Sequence, residues 1–377
     1  MTTPTLWLDT ETYSALDLER VGTYHYAEHA EAMLITYAVD DGPVQCWDYS
    51  DGTPPPDIPA WVQQYDATVI AHRAVFDRNV LRLGNLHWDI PIERWRCTMT
   101  QAYCHALPGS LDMLGQVLGL PADQRKLKEG RRLMLMFSKP APKGRKVARY
   151  TRDTHPEEWS QFIEYAKQDV TAMREIGKRL PRWNWQPDDV AMWHLDQRIN
   201  DRGFAVDLDL VRAGARAATE EKASITARFR ELTGGLSPTQ RDRVREYINS
   251  TYGMQLTSTA KATIAPLVDD ESQPETLREI CQLILTANKT STAKYAALAD
   301  ALSDDGRFRG GLLFAGASRT RRWSGQVFQP QNLPSRGLPK NDMIEAYIAA
   351  LKAGCHRDMF DDLMLYGSAA LRGVVVA

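Results

Sequence analysis

The 377-residue sequence is short of several things, and each shortage excludes a class of protein. Its five cysteines, scattered over positions 46, 97, 104, 281 and 355 with no C-x-x-C pair, give no disulfide framework and fit a reducing setting. Net charge is nearly absent. With 46 Lys and Arg against 48 Asp and Glu the balance is −2, so any grip on a polyanion must come from local patches and not from the overall field. Long hydrophobic runs are missing as well: none approaches the roughly 18 residues that span a bilayer. The amino terminus has neither a basic stretch nor an apolar leader, so we expect a cytoplasmic protein with no membrane partner. The rest is ordinary for a folded chain, 43% hydrophobic and 25% charged. At about 150 residues per domain the length implies two or three units and excludes a lone small binding module.

The first half alternates β-rich runs with helical patterns, and the second half is mostly helical. Thr5–Glu11, Ala32–Val39 and Val44–Tyr49 read as a three-stranded opening, the last two joined by the turn Asp40-Asp41-Gly42-Pro43. Val69–Ala71 runs into a helix over Val75–Leu83, Leu111–Leu118 is a second helix, and the combination implies a mixed α/β sheet. A helix over about Pro156–Gly177 carries Trp159, Phe162, Ile163, Ala166, Val170 and Met173 at 3–4 spacing, the mark of a face packed on a core. The Pro- and Trp-rich stretch Leu180–Pro187 places a boundary, and helices over Asp188–Asn200 and Leu208–Leu232 open an α-helical region. We therefore expect units at 1–182, 183–310 and 311–377.

The chemistry-bearing residues are acidic. Asp9 and Glu11 stand two apart near the end of a strand, so both point to one face of the sheet. Asp77 opens the helix after the next apolar strand, within Ala71-His72-Arg73-Ala74-Val75-Phe76-Asp77. Tyr165 and Asp169, four apart in a helix, project one above the other. Each pattern alone is commonplace: acids cap strands and helices for ordinary reasons. Four carboxylates converging would repel one another unless cations sat between them. Hard oxygen ligands suit Mg2+ or Mn2+, and two such ions about 4 Å apart clamp the attacking and leaving oxygens of a phosphodiester.

In order and placement, Asp9-Thr10-Glu11-Thr12, the Asp77 segment and Tyr165-Ala166-Lys167-Gln168-Asp169 resemble the three exonuclease motifs of the DEDD family, tyrosine subtype. The resemblance covers about residues 5–180 and implies a ribonuclease H-like mixed sheet carrying a two-metal 3′–5′ exonuclease that hydrolyses DNA. It implies that Asp9, Glu11 and Asp169 hold the ion that activates water, and that Asp9 and Asp77 hold the ion near the leaving oxygen. Tyr165 would orient or deprotonate the water. Thr10, His72, Arg73 and Phe76, inside the first two motifs, are expected to touch the DNA strand. Arg73 departs from the pattern, which usually has Asn there; the arginine would add a phosphate contact or crowd the 3′ end.

The second half resembles the start of a family A (DNA polymerase I-like) polymerase of phage type, on two stretches. One runs from Met192-Trp193-His194-Leu195-Asp196 to Asn200-Asp201-Arg202-Gly203-Phe204-Ala205-Val206-Asp207. The other comprises Gly316-Ala317-Ser318-Arg319-Thr320-Arg321-Arg322-Trp323-Ser324-Gly325 and Gln329-Pro330-Gln331-Asn332-Leu333-Pro334-Ser335-Arg336. The resemblance implies a helical, thumb-like region over 183–310 and the start of a palm over 311–377. Arg319, Arg321 and Arg322 beside Trp323 offer charge and a stacking surface to primer–template DNA, and Gln331 and Asn332 offer hydrogen bonds. In that family the aspartate motif D-x-S-x-x-E of the first palm strand and then the H-D-E turn come after this stretch; neither follows Gln329–Arg336 here, so we expect no polymerisation from this chain alone. The missing neighbour would be a separately encoded polymerase half, a split gene or a truncation, and the setting would be host cytoplasm if the gene is a phage's. Two rival functions stay open: an RNA 3′–5′ exonuclease, and a non-catalytic DNA-binding or polymerase-partner subunit. Cys97, Cys104 and His105 match no common zinc spacing. The segment Arg125–Arg152, with eleven Lys or Arg against the single acid Glu129, reads as a loop able to hold a nucleic-acid strand.

Overall fold

The computed structural model describes residues 3–121, 130–289, 291–317 and 319–376. Along the chain the elements are β1 (Thr5–Tyr13), α1 (Leu18–Glu28), β2 (Glu31–Val39), β3 (Gln45–Asp48), α2 (Ile58–Gln64), β4 (Thr68–Ala71), α3 (Ala74–Leu83), β5 (Trp95–Cys97), α4 (Thr98–Cys104), α5 (Leu111–Val117), α6 (Gly130–Phe137), α7 (Pro156–Arg179) and α8 (Pro187–Arg202). There follow β6 (Phe204–Val206), α9 (Leu208–Thr233), α10 (Arg241–Tyr252), α11 (Lys261–Asp269), α12 (Glu275–Ala287), α13 (Ala293–Asp300), β7 (Arg307–Phe308), β8 (Leu312–Ala317), β9 (Arg322–Gly325), α14 (Asn341–Ala353), α15 (His356–Met359), α16 (Leu363–Ala370) and β10 (Val375–Val376).

Two compact units result: residues 1–204 with 301–329, and residues 205–300 with 330–377. This division differs from the boundaries expected at 182 and 310. Helix α8 stays with the first unit because Arg78 and Tyr24, from α3 and α1, both bind Asp201 near its end. The hairpin β8–β9 returns to the same unit because Phe314 and Ala315 join the core of Leu6, Leu8, Val69 and Trp95.

A five-stranded mixed sheet in the order β3-β2-β1-β4-β5 forms the first unit's centre. The pairs β3–β2 and β2–β1 are antiparallel, and β1–β4 and β4–β5 are parallel. The opening is thus three-stranded, with α1 interposed between β1 and β2. Strand β1 is central and buried at Leu6, Trp7 and Leu8. Helix α7 crosses it, burying Trp159, Phe162, Tyr165, Ala166, Asp169, Val170, Met173 and Ile176. Its ends follow from the sequence: Pro156 starts the first turn beside Glu157 and Glu158, and Lys178 and Arg179 occupy the last, each sign placed where the helix dipole favours it. Gly177 lets the helix come close, since a Cβ there would stand 2.5 Å from the Trp7 ring.

The basic segment is not the plain loop expected. Residues 125–129 lie outside the described residues, and Gly130–Phe137 form α6, because Leu133 and Phe137, four apart, pack on Trp159, Phe162 and Tyr165. Several bases of the segment are engaged within the unit: Arg149 donates to Glu31 at 2.6 Å and lies over the Tyr13 ring, and Arg152 pairs with Asp48 and Asp51. Arg131, Arg132, Lys143, Arg145 and Lys146 are exposed.

The second unit is helical. Phe229 of α9 packs with Val244, Ile248, Ile264, Leu277, Ile280 and Ile284 in one core. Tyr295 of α13 donates to the Gly367 carbonyl at 2.8 Å, bringing α16 to the same helix bundle. Strand β10 pairs antiparallel with Ala205 and Val206, and Val375 and Val376 are each 41% exposed. No helix among the described residues is long and apolar enough to cross a membrane.

Candidate functional site

The strand alternation of β1 turns Asp9 and Glu11 to the side on which α7 lies, and Asp169 reaches them from that helix. Single carboxylate oxygens of Asp9, Glu11 and Asp169 all fall within 4.8 Å of one another. Glu11 and Asp169 are buried and Asp9 is half-buried. Immediately beyond Glu11 the β1–β2 register shifts, a bulge that ends regular pairing next to the acids.

Tyr165, one turn before Asp169, is 1% exposed and stacks on Phe162 with ring planes 10° apart. Gly130 of α6 lies against it, so close that a Cβ at that position would stand 1.9 Å from the ring's Cε2. Burial first, then the nearby charges of Asp169, Glu11 and Asp9, push the phenol well above its ordinary value. It therefore holds its proton at neutral pH.

Asp77 is not one of the three clustered carboxylates. It sits 2% exposed at the start of α3, where its Oδ1 accepts from the Thr10 backbone N–H at 3.1 Å and the Thr10 hydroxyl at 2.8 Å. Burial raises its carboxyl to about 7, against the lowering effect of the Thr10 bonds. Thr10, expected to touch DNA, gives both of its donors to Asp77 and ties it to β1. His72 is likewise occupied, with Nδ1 at 2.9 Å from the Thr98 hydroxyl and Nε2 at 2.8 Å from the Gly109 carbonyl. Phe76 is half-buried against the Tyr26 ring. Arg73 is exposed, and it caps α3 in the left-handed region at φ 69°.

The second expected cluster is divided. Arg319 and Arg322 are exposed in the first unit, while Gln331 and Asn332, also exposed, belong to the second. Arg321 is paired internally, donating to Asp189 at 2.7 Å and to the Cys104 sulfur at 3.6 Å. Trp323 donates Nε1 to buried Asp196 at 2.7 Å, with 41% of its surface open. Burial pushes Asp196 up to about 6, opposed by hydrogen bonds from Trp323, Gln197 and Asn200. Sequence reasoning missed Gly130 and the Thr10–Asp77 clamp. A lone glycine beside basic residues carries no signal of what it will touch, and a threonine between two acids looked like part of the motif's surface.

The donors fit divalent cations. Asp9, Glu11 and Asp169 offer hard oxygens at one point, the donor set of Mg2+ or Mn2+.

No protein-family model matches the chain. A DNA polymerase of Bacillus phage SP02 is 34% identical over 346 residues, which are 90% of this chain and 52% of that protein. A solved structure of the POL domain of Pol1 from M. smegmatis, in complex with DNA primer-template and dNTP, matches with a TM-score of 0.53 at 14% identity, covering 81% of this chain and 50% of that one. At that identity the likeness is one of fold. The chain is thus similar to a phage DNA polymerase over nine-tenths of its own length and spans about half the length of that relative.

Proposed function

We propose that the first unit is a 3′–5′ exonuclease acting on DNA, the proofreading module of a family A DNA polymerase. The observation that carries the proposal is the meeting of Asp9, Glu11 and Asp169 beside Tyr165. The mixed sheet with its acids on the central strand supports the ribonuclease H-like, DEDD reading. The phage polymerase relative and the primer-template in the polymerase neighbour support DNA as substrate.

In this reading Asp9, Glu11 and Asp169 bind one divalent cation, and Asp9 with Asp77 binds a second. Such cations, when bound, lower the pKa of water and offset charge on the leaving oxygen. The protein's own part is positional. Thr10 fixes the rotamer of Asp77 through two donors to one oxygen. Gly130 and Phe162 both pack against the Tyr165 ring and fix its place beside Asp169, where its hydroxyl would orient or deprotonate the attacking water. We further assign the thumb-like and palm-entry roles to the second unit and the 316–336 stretch, with Arg319, Arg322, Gln331 and Asn332 as its DNA contacts. Arg321 is reassigned to positioning the hairpin through Asp189.

The test is nucleotide release from matched 3′-labelled DNA and RNA oligomers with Mg2+ or Mn2+. DNA should be degraded in preference, chelator should stop it, and Asp9→Ala should abolish it. Equal release by Asp9→Ala would overturn the assignment, and preference for RNA would overturn the substrate. Tyr165→Phe should slow release by ~10²-fold, the scale of one positioned proton-handling group; an unchanged rate would remove Tyr165 from the site.

A further inference from the structure

The end of α1 carries a second group of metal-ligand side chains, none of which the nuclease reading uses. We propose that His25, His29 and Asp304 form a binding site for a transition-metal ion of the zinc class, which staples the returning segment 301–329 to α1. His25 lies in the last turn of α1, and His29, four residues on, is its C-cap. That spacing puts both imidazoles on one side of the helix end. Their rings meet edge to face with centroids 4.9 Å apart.

One ligand atom from each of His25, His29 and Asp304 lies within 4.8 Å of the others. The Asp304 Oδ1 stands 3.2 Å from His29 Nε2 and 4.0 Å from His25 Nδ1. A tetrahedral zinc ion with ligand bonds of about 2.0–2.1 Å holds neighbouring donors about 3.3 Å apart, so closing on the ion takes movements of under about 1 Å. Glu28 positions the far side: its Oε2 accepts from the Asp304 backbone N–H at 3.1 Å and faces His25 Nδ1 at 3.4 Å. Arg309 carries charge toward Glu28, but its guanidinium is taken up by two 2.7 Å bonds to Asp305. Side-chain exposures of 20% for His25, 44% for His29 and 66% for Asp304 leave room for a water as fourth ligand.

Two imidazoles with one carboxylate suit zinc, cobalt or nickel better than magnesium. Selectivity therefore separates this site from the carboxylates of β1 and α7. The experiment titrates the full chain with Co2+ under excess Mg2+ and reads the visible bands of tetrahedral cobalt. Zinc, added afterwards, should displace the cobalt. We expect one strongly coloured cobalt, retained in Asp169→Asn and weakened by ~100-fold or more in His25→Ala or His29→Gln. Zinc should raise the melting temperature of the wild type and not of His29→Gln, whose metal-free melting should match the wild type. Absence of tetrahedral bands, or bands that persist in both histidine variants, would overturn the proposal. So would bands that vanish in Asp169→Asn, which would assign the cobalt to the nuclease carboxylates.

Discussion

At Gly130 the absence of a side chain sets the place of the residue that matters most to the proposed chemistry. The Tyr165 ring occupies the space a Cβ would fill. Gly130→Ala must displace the ring or α6, and overpacking of this kind costs about 1–3 kcal/mol. We expect a lower melting temperature together with loss of nucleotide release comparable to Tyr165→Phe; a variant with unchanged melting and rate would show that the ring is not wedged there. Arg73 illustrates the opposite case, a large side chain where the backbone favours a small one. Its φ of 69° is a conformation that costs most L-residues about 1–2 kcal/mol and that asparagine tolerates. Arg73→Asn should therefore stabilise the protein by about 0.5–1 kcal/mol in urea unfolding. A loss of stability would mean that the guanidinium contributes more than the strain it imposes.

Helix α7 was readable from the sequence over nearly its full length because its apolar residues, from Trp159 to Ile176, repeat at helical spacing for about five turns. Strand β1 was readable because its apolar residues run unbroken up to Asp9, and the same-face placement of Asp9 and Glu11 follows from the pleat. Helix α1 was not, since His25, Glu28 and His29 crowd its end and Gly22, with φ 75°, breaks it. Helix α6 hid in a basic stretch, its two core residues outnumbered by charges. The division into units was also hidden, because it depends on contacts between residues more than 100 apart, such as Arg78 with Asp201. That contact is a test at this scale. Arg78 is 6% exposed and donates to Asp201 at 2.9 and 2.5 Å, while Tyr24 donates to the same carboxylate at 2.6 Å. Burial alone would raise Asp201, and the Arg78 bonds hold it below its ordinary value instead. Removing one partner strands a buried charge, so Asp201→Ala should cost about 3–5 kcal/mol in urea unfolding. A cost below about 1 kcal/mol would show that α8 is not anchored by this pair.

Over the whole molecule the charges nearly cancel, yet they are locally uneven. Asp9 and Glu11 of β1 and Asp169 of α7 come together, and exposed bases gather at 131–146 and 319–322. Burial raises the carboxyls of Asp77 and Asp196 to about 7 and about 6. A group whose folded pKa exceeds its unfolded value contributes fully at low pH, and that contribution is lost as pH rises through the folded value. Metal-free protein should therefore melt higher at pH 5.5 than at pH 7.5, and Asp196→Asn should flatten part of that slope. The opposite slope, or an identical profile in the variant, would contradict the burial of these carboxyls as a determinant of stability. Mg2+ or Mn2+ bound at Asp9, Glu11 and Asp169 should stabilise the folded protein.

The central claim is that Asp9, Glu11 and Asp169 form a nuclease site, and the most direct measurement compares wild type with Asp169→Asn. The substitution keeps the side chain's size and removes one ligand charge. With Mn2+ and 3′-labelled single-stranded DNA, wild type should release the terminal nucleotide progressively, while the variant, folded and melting normally, should release none. Equal release by the two, or none by the wild type, would contradict the account.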